Sequence, residues 1–167
     1  MLTIALAIAA ALLAAVLVFV AYGRAETWTY IFGNPDLGQF DRADPVRSPS
    51  PNDALLCTPG LCGSAEVDAT LPEYDATPAE LIARIDDAMR KSGAIYRRVD
   101  DGSDPAKARY VTRTPLMRFP DTNSFEAVPL PGGRTGLVAY ARAQIGRGDM
   151  GVNRARLEKI TAALASG

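Results

Sequence analysis

One short segment has the residue types and spacing of a nucleotide-binding loop. Residues 146–151 read Gly-Arg-Gly-Asp-Met-Gly, a G-x-G-x-x-G pattern between a predicted strand and a predicted helix. In dinucleotide-binding proteins this pattern lies in a βαβ unit and is followed by an acidic residue about 20 positions later. The sequence ends at Gly167, before that position, so we expect no dinucleotide site and no cofactor.

The same segment could instead bind a small anion at the start of the last predicted helix. Unpaired backbone N–H groups attract anions to a helix N-terminus, and glycines allow a close approach. Several arginines flank the segment or could reach it from the neighbouring sheet. The candidate anion-binding residues are Arg113, Arg118, Arg147, Arg154, Gly148 and Gly151. The alternative is that the carboxylate of Asp149 caps the helix itself.

Two further polar residues are expected to have structural roles beside Asp149. Asp121 follows Phe119-Pro120 and is interpreted either as a turn residue or as the partner of an arginine. Asn153 lies in the first turn of the last predicted helix.

The composition leaves few ways to build an enzyme. The chain has no histidine, which excludes Ser-His-Asp and Cys-His devices and every histidine metal ligand. The carboxylate pairs 86–87 and 100–101 fall on a predicted helix surface and in a predicted turn, where solvated charge is ordinary. We therefore predict no catalytic residue and no metal site, and an enzyme is the less favoured interpretation.

The two cysteines, Cys57 and Cys62, flank a Pro-Gly turn that can bring them within disulfide range. A zinc half-site and a redox pair are the alternatives, but zinc normally takes four ligands and redox pairs normally have C-x-x-C spacing. We predict a structural disulfide, which indicates an oxidising compartment.

Residues 2–22 form an uncharged apolar run long enough to cross a bilayer. A cleaved signal sequence is the alternative, but the run is long, lacks a basic start and is followed by a poor cleavage site. We therefore predict a membrane anchor over residues 1–23. Trp28, Tyr30 and Phe32 alternate after it, as in an aromatic belt at the membrane surface or in a short strand.

The rest of the chain is predicted to contain a spacer and one domain. Residues 24–56 include a proline-rich stretch that favours extended structure, either as a spacer or as an arm across the domain. Within residues 57–167, a capping box at Thr77-Pro78-Ala79-Glu80 begins an amphipathic helix. Four strands near 95–99, 109–119, 124–130 and 135–145 and a helix over 152–166 follow. The predicted fold is α+β, a four-stranded antiparallel sheet packed by two helices.

Charge is divided unevenly along the chain. Residues 24–96 carry 6 basic and 12 acidic side chains, whereas residues 97–167 carry 12 basic and 7 acidic ones. The basic half could face phospholipid headgroups, an anionic ligand or an acidic protein, or it could simply neutralise the acidic half. Nucleic acid is not expected as a partner, because the net charge is only −1.

Three segments carry a resemblance to a known family. Residues 50–53, 113–121 and 146–156 resemble the DUF1499 family of bacterial proteins of unknown function, and the resemblance extends from about Asn52 onward. It implies a proteobacterial envelope protein, often with an N-terminal hydrophobic segment. It implies no activity and no catalytic residues.

These features together predict a single-pass protein of the bacterial inner membrane with its domain in the periplasm. We expect residues 2–22 to contact the membrane and the domain to act as a non-catalytic binding or accessory subunit of a larger membrane or envelope complex. The alternative is a receptor for a small anionic or lipid-like ligand at the arginine-lined helix N-terminus.

Overall fold

The computed structural model describes residues 1–164, and these form an α+β structure of four helices and six strands. The helices are α1 (Leu2–Tyr22), α2 (Arg24–Phe32), α3 (Pro78–Lys91) and α4 (Val152–Leu164). The strands are β1 (Asp53–Cys57), β2 (Ala69–Thr70), β3 (Ile95–Arg98), β4 (Lys107–Arg113), β5 (Pro120–Pro129) and β6 (Thr135–Ala143). The predicted continuation of the last helix to Ser166 lies outside the described residues.

All six strands belong to one sheet with the order β2-β1-β6-β5-β4-β3. The four predicted strands are β3 to β6, and consecutive members pair antiparallel as a meander. β1 pairs antiparallel with β6 and parallel with β2. The predicted α+β class is confirmed, but the prediction of a four-stranded sheet is wrong.

The two additional strands lack the pattern by which a strand is recognised. β1 has four consecutive buried residues, Ala54 to Cys57, because the sheet is covered on both faces there. Apolar and polar residues therefore do not alternate along it. β2 has only two residues, which is too short for any periodicity. β1 begins at Asp53, within the segment assigned to the spacer.

Helices α3 and α4 cover one face of the sheet and form the main core with it. α3 begins with the predicted capping box, in which Thr77 accepts from the Glu80 backbone N–H while the Glu80 carboxylate accepts from the Thr77 backbone N–H. The helix ends before Gly93, whose φ of 73° favours glycine. The core includes Leu81, Ile85, Tyr110, Phe125, Leu137, Leu157 and Ile160.

Residues 33–51 lie across the opposite face of the sheet as an extended arm. Phe40 is buried and stacks on Tyr140 of β6, with 4.4 Å between ring centroids. The backbone N–H of Leu37 donates to the hydroxyl of Thr122 at 3.0 Å. Arm side chains also pair with the sheet, as Asp36 does with Arg109. The proline-rich segment is therefore packed on the domain over this length.

The aromatic segment after the apolar run is a helix, so the short-strand interpretation is wrong. Gly23, with φ of 109°, separates α1 from α2. The hydroxyls of Thr27 and Thr29 donate to carbonyls four residues earlier, as side chains in helices do. The alternation of aromatic residues is typical of a strand, but Trp28 packs on Phe119 and donates to the Met117 carbonyl from a helix.

Candidate functional site

A cavity of about 670 Å³ lies between α2 and the face of β3 and β4 that α3 and α4 leave uncovered. We call it the interface cavity. One wall of the cavity is formed by β3 and β4, where Ile95 pairs with Arg113 and Arg97 pairs with Val111. The side chains of these four residues lie on one face of the sheet. The helix wall consists of Ala25, Glu26, Thr29 and Tyr30, with Tyr22 at the end of α1.

Hydrogen bonds fix α2 in place against the loop between β4 and β5. The guanidinium of Arg24 donates to the Leu116 carbonyl at 2.7 Å, and the Trp28 indole N–H donates to the Met117 carbonyl at 2.6 Å. The Trp28 ring also packs on Phe119, with 4.9 Å between centroids. The two walls of the interface cavity are therefore held together by specific contacts and not only by chain connectivity.

The interface cavity is electropositive. Within residues 1–164, no carboxylate lies within 4.0 Å of the guanidinium of Arg97 or Arg113. Burial lowers the pKa of Arg113, the carboxylate of Glu26 opposes this, and the positive charges of Arg97 and Arg118 lower the pKa further. Among the described residues, the only hydrogen bond that the Arg113 guanidinium donates goes to the Arg118 carbonyl, at 3.2 Å. The guanidinium groups of Arg97 and Arg113 can therefore donate hydrogen bonds to a bound anion.

A second concavity, of about 610 Å³, adjoins the interface cavity along α1 and is almost wholly apolar. We call it the apolar groove. It is lined by Ala15, Val18 and Phe19 of α1 and by Thr27 and Ile31 of α2. Tyr22 and Tyr30 line both concavities. A cationic cavity and an apolar groove thus share one boundary.

The three segments that carry the family resemblance meet in a buried polar cluster on the other side of the sheet. Arg156 of α4 donates to Asp121 at 2.7 Å and to the side-chain oxygens of Asn123 and Asn153, at 3.2 and 2.5 Å. Asn153 in turn donates to the backbone carbonyl of Asn52. Burial raises the pKa of the Asp121 carboxyl, and the charge of Arg156 opposes this rise. Asp121 therefore lies in β5 as an arginine partner and not in a turn.

The N-terminus of α4 is occupied by a side chain of the protein itself. The carboxylate of Asp149 accepts from the backbone N–H groups of Gly151 and Asn153, at 3.0 and 2.8 Å. These are the N–H groups that a bound anion would use. Gly151 has a φ of 77°, which favours glycine, whereas Gly148 has an ordinary negative or extended φ.

The structure does not bring the predicted anion-binding arginines together. Arg154 is exposed on α4 and pairs with Glu158 at 2.8 Å, and Arg147 is exposed in the loop before it. Arg113 lines the interface cavity, and Arg118 lies in the loop that holds α2. Of the residues predicted to bind an anion, only Arg113 therefore lines the interface cavity.

The predicted disulfide between Cys57 and Cys62 is confirmed. The bond links the end of β1 to the loop that follows it. Both cysteines are buried, in a small cluster with Phe40, Leu55, Val138 and Tyr140. The disulfide therefore belongs to the structure that packs the arm on the sheet.

Sequence reasoning missed several residues of the interface cavity. Arg97 and Ile95 alternate along β3, and this alternation could have placed them on one face. The contribution of Tyr22 and Tyr30 could not have been anticipated, because it depends on the break between α1 and α2 at Gly23.

Comparison with known families agrees with the resemblance carried by residues 50–53, 113–121 and 146–156. None of the curated proteins matches the chain. Residues 52–164 match a family described as a protein of unknown function, DUF1499. This range contains β1 to β6, α3, α4 and the buried polar cluster, whereas α1, α2 and the arm precede it. The match covers more than half of the sequence, and the chain therefore belongs to the DUF1499 family.

Proposed function

We propose that this chain is a single-pass protein of the bacterial inner membrane whose α+β domain stands on the periplasmic side. The domain acts as a non-catalytic binding or accessory module of a larger membrane or envelope complex. The N-terminal apolar helix α1 is by itself compatible with either an anchor or a signal sequence.

The contacts that link α1 to the folded domain through α2 favour an anchor. Phe19 in α1 packs edge-on against Trp28, with 5.3 Å between ring centroids. Trp28 is itself hydrogen-bonded to Met117. A signal sequence is removed during export, so it is not expected to pack against the mature domain. This chain of contacts is the observation that carries the proposal.

The disulfide supports the periplasmic side. Disulfides persist in oxidising compartments and are rare in the cytoplasm of bacteria. The bond between Cys57 and Cys62 lies in the domain, so the domain is expected where oxidation takes place.

The arrangement of the buried polar residues supports a module without catalysis. Asp121 and Arg156 pair with each other, and the neighbouring asparagines take part in the same hydrogen-bond network. The half-buried carboxylates of Asp86 and Asp100 both pair with Arg98. These acids are used to hold elements of the fold together.

The alternative of an anion receptor at the N-terminus of α4 has less support, because Asp149 occupies the backbone donors there. An anionic ligand has a better position in the interface cavity.

Protease accessibility tests the placement of the domain. A C-terminal epitope tag on the full chain is followed after protease is added to intact spheroplasts and to lysed ones. We expect digestion of the tag in intact spheroplasts and retention of the protein in membranes washed with alkaline carbonate. Protection of the tag until lysis would contradict the periplasmic placement.

Co-purification tests the accessory role. The tagged protein is extracted from native membranes in a mild detergent, and every retained protein is identified by mass spectrometry. We expect a stoichiometric membrane or envelope partner. Recovery of the chain alone would count against this role.

A further inference from the structure

The interface cavity and the apolar groove have the combined chemistry of a phospholipid site. The cavity presents two arginines, and the groove beside it presents an apolar lining. Tyr22 and Tyr30 form the boundary between them. A phospholipid has the same division, with a charged phosphate next to acyl chains.

The position of the boundary matches the surface of a bilayer. At a rise of about 1.5 Å per residue, the 21 residues of α1 extend roughly 31 Å, which is the thickness of the hydrocarbon core. Tyr22 is the last residue of α1 and therefore lies where hydrocarbon meets headgroups. Tyrosine is enriched at this depth.

The charge of the interface cavity favours an anionic headgroup. Arg97 and Arg113 face one acidic lining residue, Glu26, and neither arginine has a carboxylate within 4.0 Å in residues 1–164. Arg118 adds positive charge nearby, and its Nη1 is buried without a hydrogen-bond partner among the described residues. A phosphate can accept charge-assisted hydrogen bonds from such guanidinium groups.

The apolar groove favours a lipid over a free phosphate ion. Its floor is the outer surface of α1 at Ala15, Val18 and Phe19, and α2 forms the side wall through Ile31. A free ion would occupy only the cationic cavity and would make no contact with this lining, which lies at the depth of the hydrocarbon core. An acyl chain next to the phosphate would cover it.

We propose that this junction binds one anionic phospholipid, with its phosphate held by Arg97 and Arg113 and one acyl chain along the groove between α1 and α2. The proposal rests on the membrane anchoring proposed above. The bound lipid would set the height and orientation of the domain on the membrane, because α2 is hydrogen-bonded to the β4–β5 loop.

Native mass spectrometry of the full chain in an uncharged detergent tests this proposal. The protein is incubated with equal amounts of phosphatidylglycerol and phosphatidylcholine, and the bound fraction of each lipid is measured. We expect one phosphatidylglycerol per chain, bound about tenfold better than phosphatidylcholine. Both lipids offer a phosphate to the arginines, but the choline of phosphatidylcholine also brings a positive charge close to Arg97 and Arg113 and is repelled by them.

Three arginine variants separate a site from general attraction. Arg97→Gln and Arg113→Gln should each remove most of the preference for phosphatidylglycerol. Arg147→Gln, which removes an exposed arginine outside the cavity, should leave the preference unchanged. Arg97 is exposed as well, so its replacement does not threaten folding even if replacement of the partly buried Arg113 does.

A groove variant and a competition complete the design. Ala15→Phe fills the groove and should lower phosphatidylglycerol binding while Arg97 and Arg113 remain. Inorganic phosphate at the same concentration as the lipid should not displace it.

Equal binding of the two lipids, or an equal loss in Arg147→Gln and Arg97→Gln, would overturn the proposal. Displacement by inorganic phosphate would assign the cavity to a free anion. The failure of membrane anchoring is recognised separately, because it appears in the carbonate wash and the spheroplast assay, whereas lipid preference is measured in detergent.

Discussion

Replacement of Arg156 by methionine tests the buried polar cluster. Arg156 and Asp121 expose only 15% and 8% of their side chains, and their nitrogen and oxygen atoms lie 2.7 Å apart. Methionine has a similar helix propensity, so the substitution removes the charge and the hydrogen bonds with little change in the helix itself. It leaves the Asp121 carboxylate and two asparagine oxygens without their donor.

The expected loss of unfolding free energy is large for a single substitution. Removal of one partner of a buried ion pair costs about 3–5 kcal/mol, and because Arg156 is slightly exposed we expect a value of about 3 kcal/mol. The full chain in mild detergent is unfolded with urea and followed by far-UV circular dichroism. We expect a lower midpoint with an unchanged dependence on urea concentration.

Arg154→Met is the matched control, because Arg154 lies on the same helix and its ion pair with Glu158 is at the surface. Its replacement should leave stability nearly unchanged. The pH dependence provides a second signature. Without Arg156, the pKa of the buried Asp121 rises further, so the variant can bind a proton there when folded. The penalty should therefore shrink as the pH is lowered and grow as it is raised. Equal effects of Arg154→Met and Arg156→Met would refute this account of the cluster.

Three other perturbations have defined outcomes. Replacement of Cys57 and Cys62 by serine should cost about 2 kcal/mol, the chain-entropy value for a loop this short, measured by urea unfolding without reductant. Phe40→Ala should cost about 3 kcal/mol and speed proteolysis of the arm, because it removes a buried ring stacked on Tyr140. Burial alone would raise the pKa of Asp53, but hydrogen bonds from Arg47, Ser48 and Tyr140 outweigh it and lower the pKa. The stability that the ionised Asp53 contributes is present above the ordinary pKa of 3.8 and is lost as the pH falls through the lower pKa of the folded protein. The urea midpoint of Asp53→Asn should therefore fall less than that of the wild type when the pH is lowered.

Local signals in the sequence identify the regular elements well. The capping box at Thr77 and the stop at Gly93 mark α3, and clusters of turn residues separate β3, β4, β5 and β6. In these segments the backbone preference and the apolar pattern agree. β1 was missed because burial on both faces removes alternation, and α2 was missed because contacts with the β4–β5 loop decide its conformation.

The sites depend on contacts that no local pattern contains. Asn52, Asp121 and Arg156 are far apart in sequence, and only the pairing of β1, β5 and β6 and the packing of α4 bring them together. The pattern at residues 146–151 marked the start of a helix, and of its two interpretations, an anion site or a cap by Asp149, the structure agrees with the cap. The interface cavity needs the break between α1 and α2 at Gly23, so Arg97 could not be assigned to it from sequence.

The intact mass of the protein extracted from native membranes without reductant tests the proposed anchoring and compartment together. We predict a chain that retains residues 2–22 and is two hydrogen atoms lighter than the fully reduced form, as the anchor and the disulfide between Cys57 and Cys62 require. A chain that begins after Tyr22 would contradict a retained membrane anchor, and a fully reduced mass would contradict a periplasmic domain.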